Sequence, residues 1–351
     1  MRARSARGTA ADRADRPVAA VAMLVISTLF FASQDALTKH LVQTLAVPQI
    51  VAVRFFFFAL FALIYAQRQI ERKNRGGGGI DEKTGDGDRN EISDRGNEKT
   101  RARGKIANTL LRLKSAFATR QPGLQILRSL LIGGEIMVFA YAIRFLGLAE
   151  MHAIMACFPL IATALSVPLL RESVGWRRWL AVCFGFIGTL IILRPGSAVF
   201  QPIMAVALTS ALMFALYNVL TRKAAAQDSA ETSLLYVGVV GFAGAALLAP
   251  FYWQPVGATE AAWLLVISAT SIIGHLLLIK ALALAPAVIL QPFHYFTLVW
   301  AALIAFLVYG EVLSPATLLG AAIVVGSGVF IARREYQLMR RARADNWWLR
   351  L

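Results

Sequence analysis

Two stretches of the chain, AMLVISTLFFASQDALTKH at residues 22–40 and AVALTSALMFALYNVLTRK at residues 205–223, are similar enough to be copies of one another. They align without a gap at an offset of 183 residues, and seven of the 19 aligned positions are identical. Each is apolar for most of its length and becomes polar and basic at its end. Glu172 and Glu311 form a second pair, each followed by a helix rich in small residues, at an offset of 139 residues. The pattern predicts an internal duplication.

The composition indicates the environment of these apolar stretches. Of the 351 residues 58% are hydrophobic and 16% are charged, whereas soluble domains have roughly 45–50% apolar and about 25% charged residues. Runs of ~20 apolar residues can cross a bilayer, and none alternates like a barrel strand, so we predict helices that satisfy their own backbone groups. Ten such spans are predicted, at 18–40, 48–67, 123–146, 149–170, 175–194, 202–222, 231–251, 259–281, 286–308 and 314–332.

Basic residues are distributed unevenly between the predicted spans. With the N-terminus inside, 31 of the 36 Lys and Arg residues fall on the inner side and three on the outer side, as expected for cytoplasmic loops. The net charge of +16 therefore reflects membrane topology, and nucleic acid, which basic proteins bind through one folded face, is not an expected partner. Both termini are predicted to be cytoplasmic, and their basic tails are expected to contact an anionic leaflet.

The duplication has a consequence for topology, because each half contains five predicted spans and five is odd. The second copy must therefore be inverted relative to the first. The predicted organisation is a tail at 1–17, a first repeat at 18–195 that includes a disordered cytoplasmic loop at 67–121, a second repeat at 202–332 and a tail at 333–351. Inverted repeats around a central cavity are typical of transporters that expose one site to either side in turn.

Several motifs resemble those of a known family. They are Phe31–Lys39 (FASQDALTK), Arg54, Arg171–Trp179 (RESVGWRRW), Arg194–Gly196 (RPG) and Gly310-Glu311. On these residues the chain resembles the drug/metabolite transporter superfamily, specifically bacterial EamA-type transporters with two EamA repeats. The resemblance covers nearly all of 18–332 except the loop at 67–121. It implies a transporter of a small organic metabolite in the bacterial inner membrane, with an amino-acid-like, vitamin-like or nucleoside-like solute.

Ionisable residues inside the predicted spans are candidate functional groups, because charge within a bilayer is costly unless it is paired or lines a cavity. Asp35 and Arg54 lie at similar depths on consecutive spans, so we predict an ion pair, with Lys39 one turn from Asp35, that acts as an external gate or clamp. Glu135 follows two glycines near the middle of the third span and is the best candidate for a proton site or for contact with a substrate cation. Glu172 and Glu311 are predicted to cap or anchor helix ends.

Prolines interrupt the fourth and ninth predicted spans, which correspond in the two repeats. Pro159 and Pro292 each remove one intrahelical hydrogen bond, and paired interruptions of this kind point to a binding site. The predicted substrate-binding residues are Glu135, His275, Gln291, His294, Tyr295, Trp300, Tyr217 and Asn218.

The sequence contains none of the motifs of a phosphate-binding loop, a zinc protease, a serine hydrolase or a Cys-x-x-Cys site. We therefore predict a secondary or facilitative transporter that is not an enzyme and has no cofactor or metal, and a homodimer is left open. The alternative is a membrane-embedded enzyme that acts on a lipid or lipid-linked substrate, with Glu135, His275 and His294 as acid–base groups. That alternative requires the three side chains to converge. A channel would need a continuous polar face on several helices, and no predicted span has one.

Overall fold

The computed structural model describes residues 17–77, 117–171, 175–193, 202–285, 287–312 and most of 314–330, and within these ranges all regular structure is helical. Residues 1–16 of the predicted tail at 1–17, residues 78–116 of the predicted loop at 67–121, most of the predicted tail at 333–351 and Glu172 lie outside the described residues.

The helices follow the apolar runs of the sequence closely. We number them in chain order as α1 (Pro17–Leu41), α2 (Val47–Gly77), α3 (Pro122–Ile143), α4 (Leu148–Met155), α5 (Phe158–Leu170), α6 (Trp176–Leu193), α7 (Pro202–Ala225), α8 (Ala230–Leu248), α9 (Ala258–Leu284), α10 (Ala287–Leu290) and α11 (Phe296–Tyr309). Short 3₁₀ helices cover Ala249–Tyr252 and Gln291–Tyr295.

Seven helical segments of the described chain are long and apolar enough to cross a membrane. One of them is Leu148–Leu170, which joins α4 and α5. Shorter apolar helices cover Phe293–Tyr309 and Leu318–Ser327. The chain is thus an all-helical, multi-pass membrane protein. The ten spans of the prediction are not all found at membrane length, and α2 continues to Gly77, beyond the predicted end of its span at 67.

Both predicted interruptions occur where the prolines lie. Between α4 and α5 the chain makes a turn at Ala156 and Cys157, and Pro159 is the second residue of α5. In the second half the short helix α10 passes into the 3₁₀ helix that contains Pro292, and α11 begins after it. Because proline lacks the amide hydrogen and its ring clashes with the preceding turn, the helix breaks at these points.

The helices pack around one interior. α1 lies along α9, α3 lies along α7, and α2 lies against α8. The last pair approaches closely, since a Cβ atom at Gly238 would stand 2.8 Å from Ala59 Cα and one at Gly241 would stand 2.5 Å from the Phe55 ring. Small residues allow membrane helices to pack backbone to backbone. Pro159 lines this interior from α5.

Candidate functional site

A cavity lies between the two halves of the chain, at the level of the helix breaks. About 700 Å³ of space, part of it open to solvent, separates the atoms that line it. Its polar lining residues are Gln34, Asp35, Thr38, Arg54, Glu135, His152, His275, His294, Tyr295 and Thr297, and its aromatic residues besides the tyrosine and histidines are Phe31, Phe139, Phe158 and Phe214. Mainly apolar walls with a few polar groups are typical of small-molecule sites.

Arg54 reaches this cavity from α2 and is 3% exposed. Its Nε donates a hydrogen bond to Ser271 Oγ on α9 at 2.7 Å. Its Nη2 is buried and makes no hydrogen bond to any residue in the described part of the chain. A guanidinium held through Nε with a free terminal nitrogen is positioned for an incoming anion or carbonyl group.

The partner predicted for Arg54 is different in the structure. Asp35 Oδ2 lies 3.4 Å from His152 Nε2 on α4, and the described contacts contain no ion pair between Asp35 and Arg54. Both side chains still line the same cavity. The similar depth predicted for Asp35 and Arg54 is therefore consistent with their positions in one cavity. The rotation of each helix about its axis, however, directs the two charged groups to other partners.

Glu135 enters the cavity from the middle of α3, where it is almost fully buried. Ser210 Oγ on α7 donates a hydrogen bond of 2.7 Å to its Oε1. The carboxyl group thus has a neutral hydrogen-bond partner from the other half of the chain. Such a site can hold the group in either protonation state, because a hydroxyl can donate to a carboxylate or accept from a carboxylic acid.

Two histidines bring further unpaired nitrogens to the cavity. His275 Nδ1 lies 3.1 Å from the Ser271 carbonyl oxygen, while its Nε2 has no partner. His294, in the 3₁₀ helix before α11, has no partner at either nitrogen and is 2% exposed. Its ring stands edge-on to Phe158, with 4.9 Å between centroids. Buried polar atoms without partners are rare in folded proteins and require an explanation. A bound solute supplies one.

The remaining predicted binding residues divide into two groups. Tyr295 lines the cavity. Gln291, Trp300, Tyr217 and Asn218 do not line it, although Gln291 and Asn218 are buried with unpaired side-chain atoms. Tyr217 packs behind the cavity wall against Phe214, and the Arg128 guanidinium lies 6.0 Å from its ring centroid.

At the end of the bundle where α1 finishes, Lys39 forms a salt bridge with Glu311. Gly310, in the left-handed region at φ 65°, ends α11 and turns the chain so that Glu311 follows it. Glu311 also accepts hydrogen bonds from the backbone amides of Leu148 and Ala149 at 3.2 and 3.3 Å. It therefore caps α4, rather than the helix that follows it in the sequence.

The electrostatics of Glu311 follow from these contacts. Partial burial alone would raise the pKa of its carboxyl group, but the hydrogen bonds from Lys39 and from the two amides hold the pKa below its usual value. The carboxylate is therefore ionised at neutral pH. The hydroxyl of Tyr309 adds a hydrogen bond of 2.6 Å to the Ala36 carbonyl oxygen beside it.

The opposite end of the bundle has its own polar contacts, one within the second half and others between the halves. Arg222 Nη1 donates to the carbonyl oxygen of Leu282, near the end of α9, at 2.9 Å. Arg128 is fully buried there and donates to Gln125, to Thr221 and to the carbonyl oxygen of Ser233. Arg128 is therefore satisfied without the long reach to Glu135.

Several functional side chains of this site were not anticipated from the sequence. His152 is the clearest case. It lies in an apolar run, as His275 and His294 do, and this position in the sequence could have marked it as a candidate. Ser210 and Ser271 carried no signal, since serines occur throughout membrane helices. The described residues contain no cluster of three or more His, Cys, Asp or Glu side chains that could hold a metal ion.

Comparison with known proteins agrees with this architecture. The EamA-like transporter family matches residues 109–194 and 201–333. The S-adenosylmethionine uptake transporter of Rickettsia bellii is 28% identical over 228 residues, which are 65% of this chain and 78% of the relative. The riboflavin transporter of Vibrio cholerae is 34% identical over 237 residues, which are 66% of this chain and 79% of the relative.

A crystal structure of another protein shares the fold, with a TM-score of 0.61 and 15% identity over 90% of this chain and 98% of its own. The relatives named above are transporters of small metabolites, and the family match covers both halves of the chain. The chain therefore belongs to the EamA-like transporter family of the drug/metabolite transporter superfamily, and it carries the EamA domain twice.

Proposed function

We propose that this protein moves a small heteroaromatic metabolite across the bacterial inner membrane by alternating access, as a secondary or facilitative transporter. The observation that carries the proposal is the cavity between the two halves, whose buried polar atoms on Gln34, Arg54, His275 and His294 have no hydrogen-bond partners among the described residues. Both termini are cytoplasmic in this proposal, as the distribution of basic residues predicts.

The alternation follows from two inverted five-span repeats. The packing of the helices supports this arrangement. In the two repeats α1 corresponds to α7, α2 to α8 and α3 to α9. When each helix is replaced by its counterpart, the contact of α1 with α9 becomes that of α7 with α3, and the contact of α2 with α9 becomes that of α8 with α3; all four contacts are present. The pair formed by α2 and α8 exchanges with itself. The helix breaks at Pro159 and Pro292 exchange in the same way. Such symmetry gives one chain two related conformations.

The two ends of the bundle act as the two gates. The Lys39–Glu311 contact closes the external end, because it joins α1 and α4 of the first half to the turn after α11 of the second. Asp35 and Arg54 lie below it and face the solute. At the cytoplasmic end the contact of Arg128 with Thr221 joins the halves, and the contact of Arg222 with Leu282 joins α7 to α9 within the second half.

The class of solute follows from the cavity walls and from the relatives. S-adenosylmethionine and riboflavin, which the relatives are named for, both contain a flat fused ring system with a polar chain. The phenylalanine rings of the cavity suit such a ring, and the unpaired polar atoms suit the chain. Glu135, His275, His294 and Tyr295 are proposed to contact the solute directly. Gln291, Trp300, Tyr217 and Asn218 support that lining, and Pro159 and Pro292 keep the two helices open there.

The experiment is uptake into proteoliposomes. Radiolabelled S-adenosylmethionine and riboflavin are offered separately to vesicles that contain the purified protein, and each uptake is measured with and without the unlabelled compound preloaded. Saturable uptake that preloading accelerates supports the proposal. If neither compound is taken up faster than by protein-free vesicles, the two solutes are excluded. Absence of counterflow for every compound that binds the protein would refute a carrier.

The lipid-modifying enzyme is the second candidate, because Glu135, His275 and His294 do line one cavity. Mass spectrometry of the lipids and of the transported compound after incubation separates the two functions. A carrier returns both chemically unchanged, whereas an enzyme yields a product without net uptake.

A further inference from the structure

We propose that Arg54 is the carboxylate-binding group of the cavity, and that the solute joins a carboxylate and a cationic nitrogen to an aromatic ring. This inference rests on the proposed transport function and specifies the class of solute for the same cavity.

The geometry of Arg54 is the first step. Its Nε is committed to Ser271, which fixes the plane of the guanidinium, and its Nη2 is buried without a partner. The planar fork of a guanidinium matches the two oxygens of a carboxylate better than any other anion-binding side chain does. A cation left unpaired inside a membrane is costly, so an incoming carboxylate is stabilised there.

The carboxylates of the protein do not fill this position. Asp35 is in contact with His152, and Glu135 accepts its hydrogen bond from Ser210. Neither makes an ion pair with Arg54 among the described contacts. Nη2 of Arg54 is therefore available to a ligand while both acidic groups stay in the cavity wall.

The charge balance of the cavity is the second step. Two acidic side chains, Asp35 and Glu135, share it with one guanidinium. A solute that brought only negative charge would bind Arg54 while being repelled by both carboxylates, and a doubly charged phosphate would be repelled most. A solute with a carboxylate and a cationic nitrogen satisfies both signs, and the nitrogen is attracted to Asp35 or Glu135.

The apolar walls are the third step. Phe31, Phe158 and Phe214 line the cavity beside the histidines, and Phe158 and Phe214 stand edge-on to one another with 4.8 Å between centroids. Aromatic rings prefer such edge-to-face neighbours. When the ring of the solute lies among these side chains, the charged end of the solute can contact Arg54 and the carboxylates of Asp35 and Glu135.

The test uses two matched series of probes with purified protein in detergent. The first consists of L-tryptophan, tryptamine, which lacks the carboxylate, and indole-3-propionate, which lacks the ammonium group. The second consists of S-adenosyl-L-homocysteine and 5′-methylthioadenosine, which lacks the whole amino-acid end. Dissociation constants are measured by calorimetry. In at least one series we expect the zwitterion to bind ~10-fold or more tightly than its truncated forms, the ratio that corresponds to one charge-assisted hydrogen bond.

Variants assign the effect to Arg54. Arg54→Gln is expected to remove the advantage of the zwitterion and to leave the affinity for the probe without a carboxylate within about twofold. Arg54→Lys keeps the charge but loses the planar fork of the guanidinium, and Ser271→Ala removes the hydrogen bond that holds Nε. The preference of both variants for the zwitterion over its truncated forms is therefore expected to lie between that of the wild type and that of Arg54→Gln. Arg144→Gln, at the end of α3, is the matched control, and the unfolding temperature of each variant shows whether it is folded.

The proposal is overturned if the zwitterion binds no more tightly than its truncated forms in either series. It is also overturned if Arg54→Gln, or Arg54→Lys where the glutamine variant does not fold, weakens all probes equally. Failure of the transport function is a different result. In that case the zwitterion binds with the expected Arg54 dependence, but proteoliposomes show no counterflow of it.

Discussion

The ammonium group of Lys39 contacts the carboxylate of Glu311, and 272 residues of sequence separate the two. The contact joins the end of α1 to the turn after α11, and through the amides of Leu148 and Ala149 it also holds the start of α4. Three elements from both halves of the chain therefore meet at one carboxylate, directly above the cavity that Asp35 and Thr38 line.

Reversing both charges of this pair tests their coupling. Lys39→Glu and Glu311→Lys are each expected to lower the unfolding temperature, because each places like charges together, and the double variant is expected to recover part of the loss. Coupling energies of residues in contact are ~0.5–3 kcal/mol. Lys223→Glu, at the exposed end of α7, is the control. Strictly additive effects of the two substitutions would show that the pair does not interact.

The low pKa of Glu311 predicts how this contact responds to pH. A carboxyl group whose pKa is lowered in the folded protein stabilises it above the ordinary pKa, here 4.5, and loses that contribution as the pH falls through the lowered value. The unfolding temperatures of wild type and Glu311→Gln should differ by a constant amount above pH about 4.5 and converge below it. A difference that grows on acidification would contradict this assignment.

Glu135→Gln tests whether this carboxyl group couples transport to protons. The amide keeps the shape of the side chain and can accept the hydrogen bond of Ser210, but it cannot exchange a proton. The groups that share the cavity with it are Asp35, Arg54, His152, His275 and His294. We expect uptake by the variant to lose its dependence on external pH. Glu260→Gln, at the start of α9, should keep it. Unchanged pH dependence in Glu135→Gln would exclude this residue as the proton site.

Pro159→Ala tests the interruption between α4 and α5. Alanine restores an amide donor and permits a continuous helix, which would raise the unfolding temperature and reorient the cavity wall. Uptake is expected to fall ~10-fold or more, since a small displacement in a binding site has effects of this size. Pro168→Ala, inside α5 but away from the break, is the control and should retain uptake. Equal loss in both variants would show that the position of the break is not important.

Arg128 is expected to be a stability residue rather than a solute contact. Arg128→Ala leaves Gln125, Thr221 and the Ser233 carbonyl without their donor. Removing one partner from a buried charged network costs ~3–5 kcal/mol, so the unfolding temperature should fall strongly. Arg120→Ala, on the exposed segment before α3, should leave it unchanged. A folded Arg128→Ala protein with a changed solute affinity would instead place Arg128 in the site.

The positions of the helices were predictable because their information is local. Span length follows from the thickness of the bilayer, and a proline within an apolar run marks a point where the helix can break, as at Pro159 and Pro292. The duplication was also readable from residues 22–40 and 205–223. The extension of α2 to Gly77 was missed, because a polar sequence can continue a helix once an apolar segment has started it.

The pairing of side chains was much less predictable. Asp35 was assigned to Arg54 by depth alone, but α1 and α2 are apolar around most of their circumference, so periodicity does not reveal which face of each helix meets which neighbour. Asp35 meets His152, and Arg54 meets Ser271. Glu311 was expected to cap or anchor the helix that follows it in the sequence. It lies instead at the start of α4, where only the tertiary packing places it.

The backbone approach between α2 and α8 at Gly238 has a mechanical consequence. Helices that approach backbone to backbone at one point can tilt about that point as about a pivot. Spin labels placed on both sides of Gly238 should therefore keep one narrow distance distribution throughout the transport cycle. Labels at the ends of α1 and α11 should show two distances, and the wider one should belong to the externally open conformer.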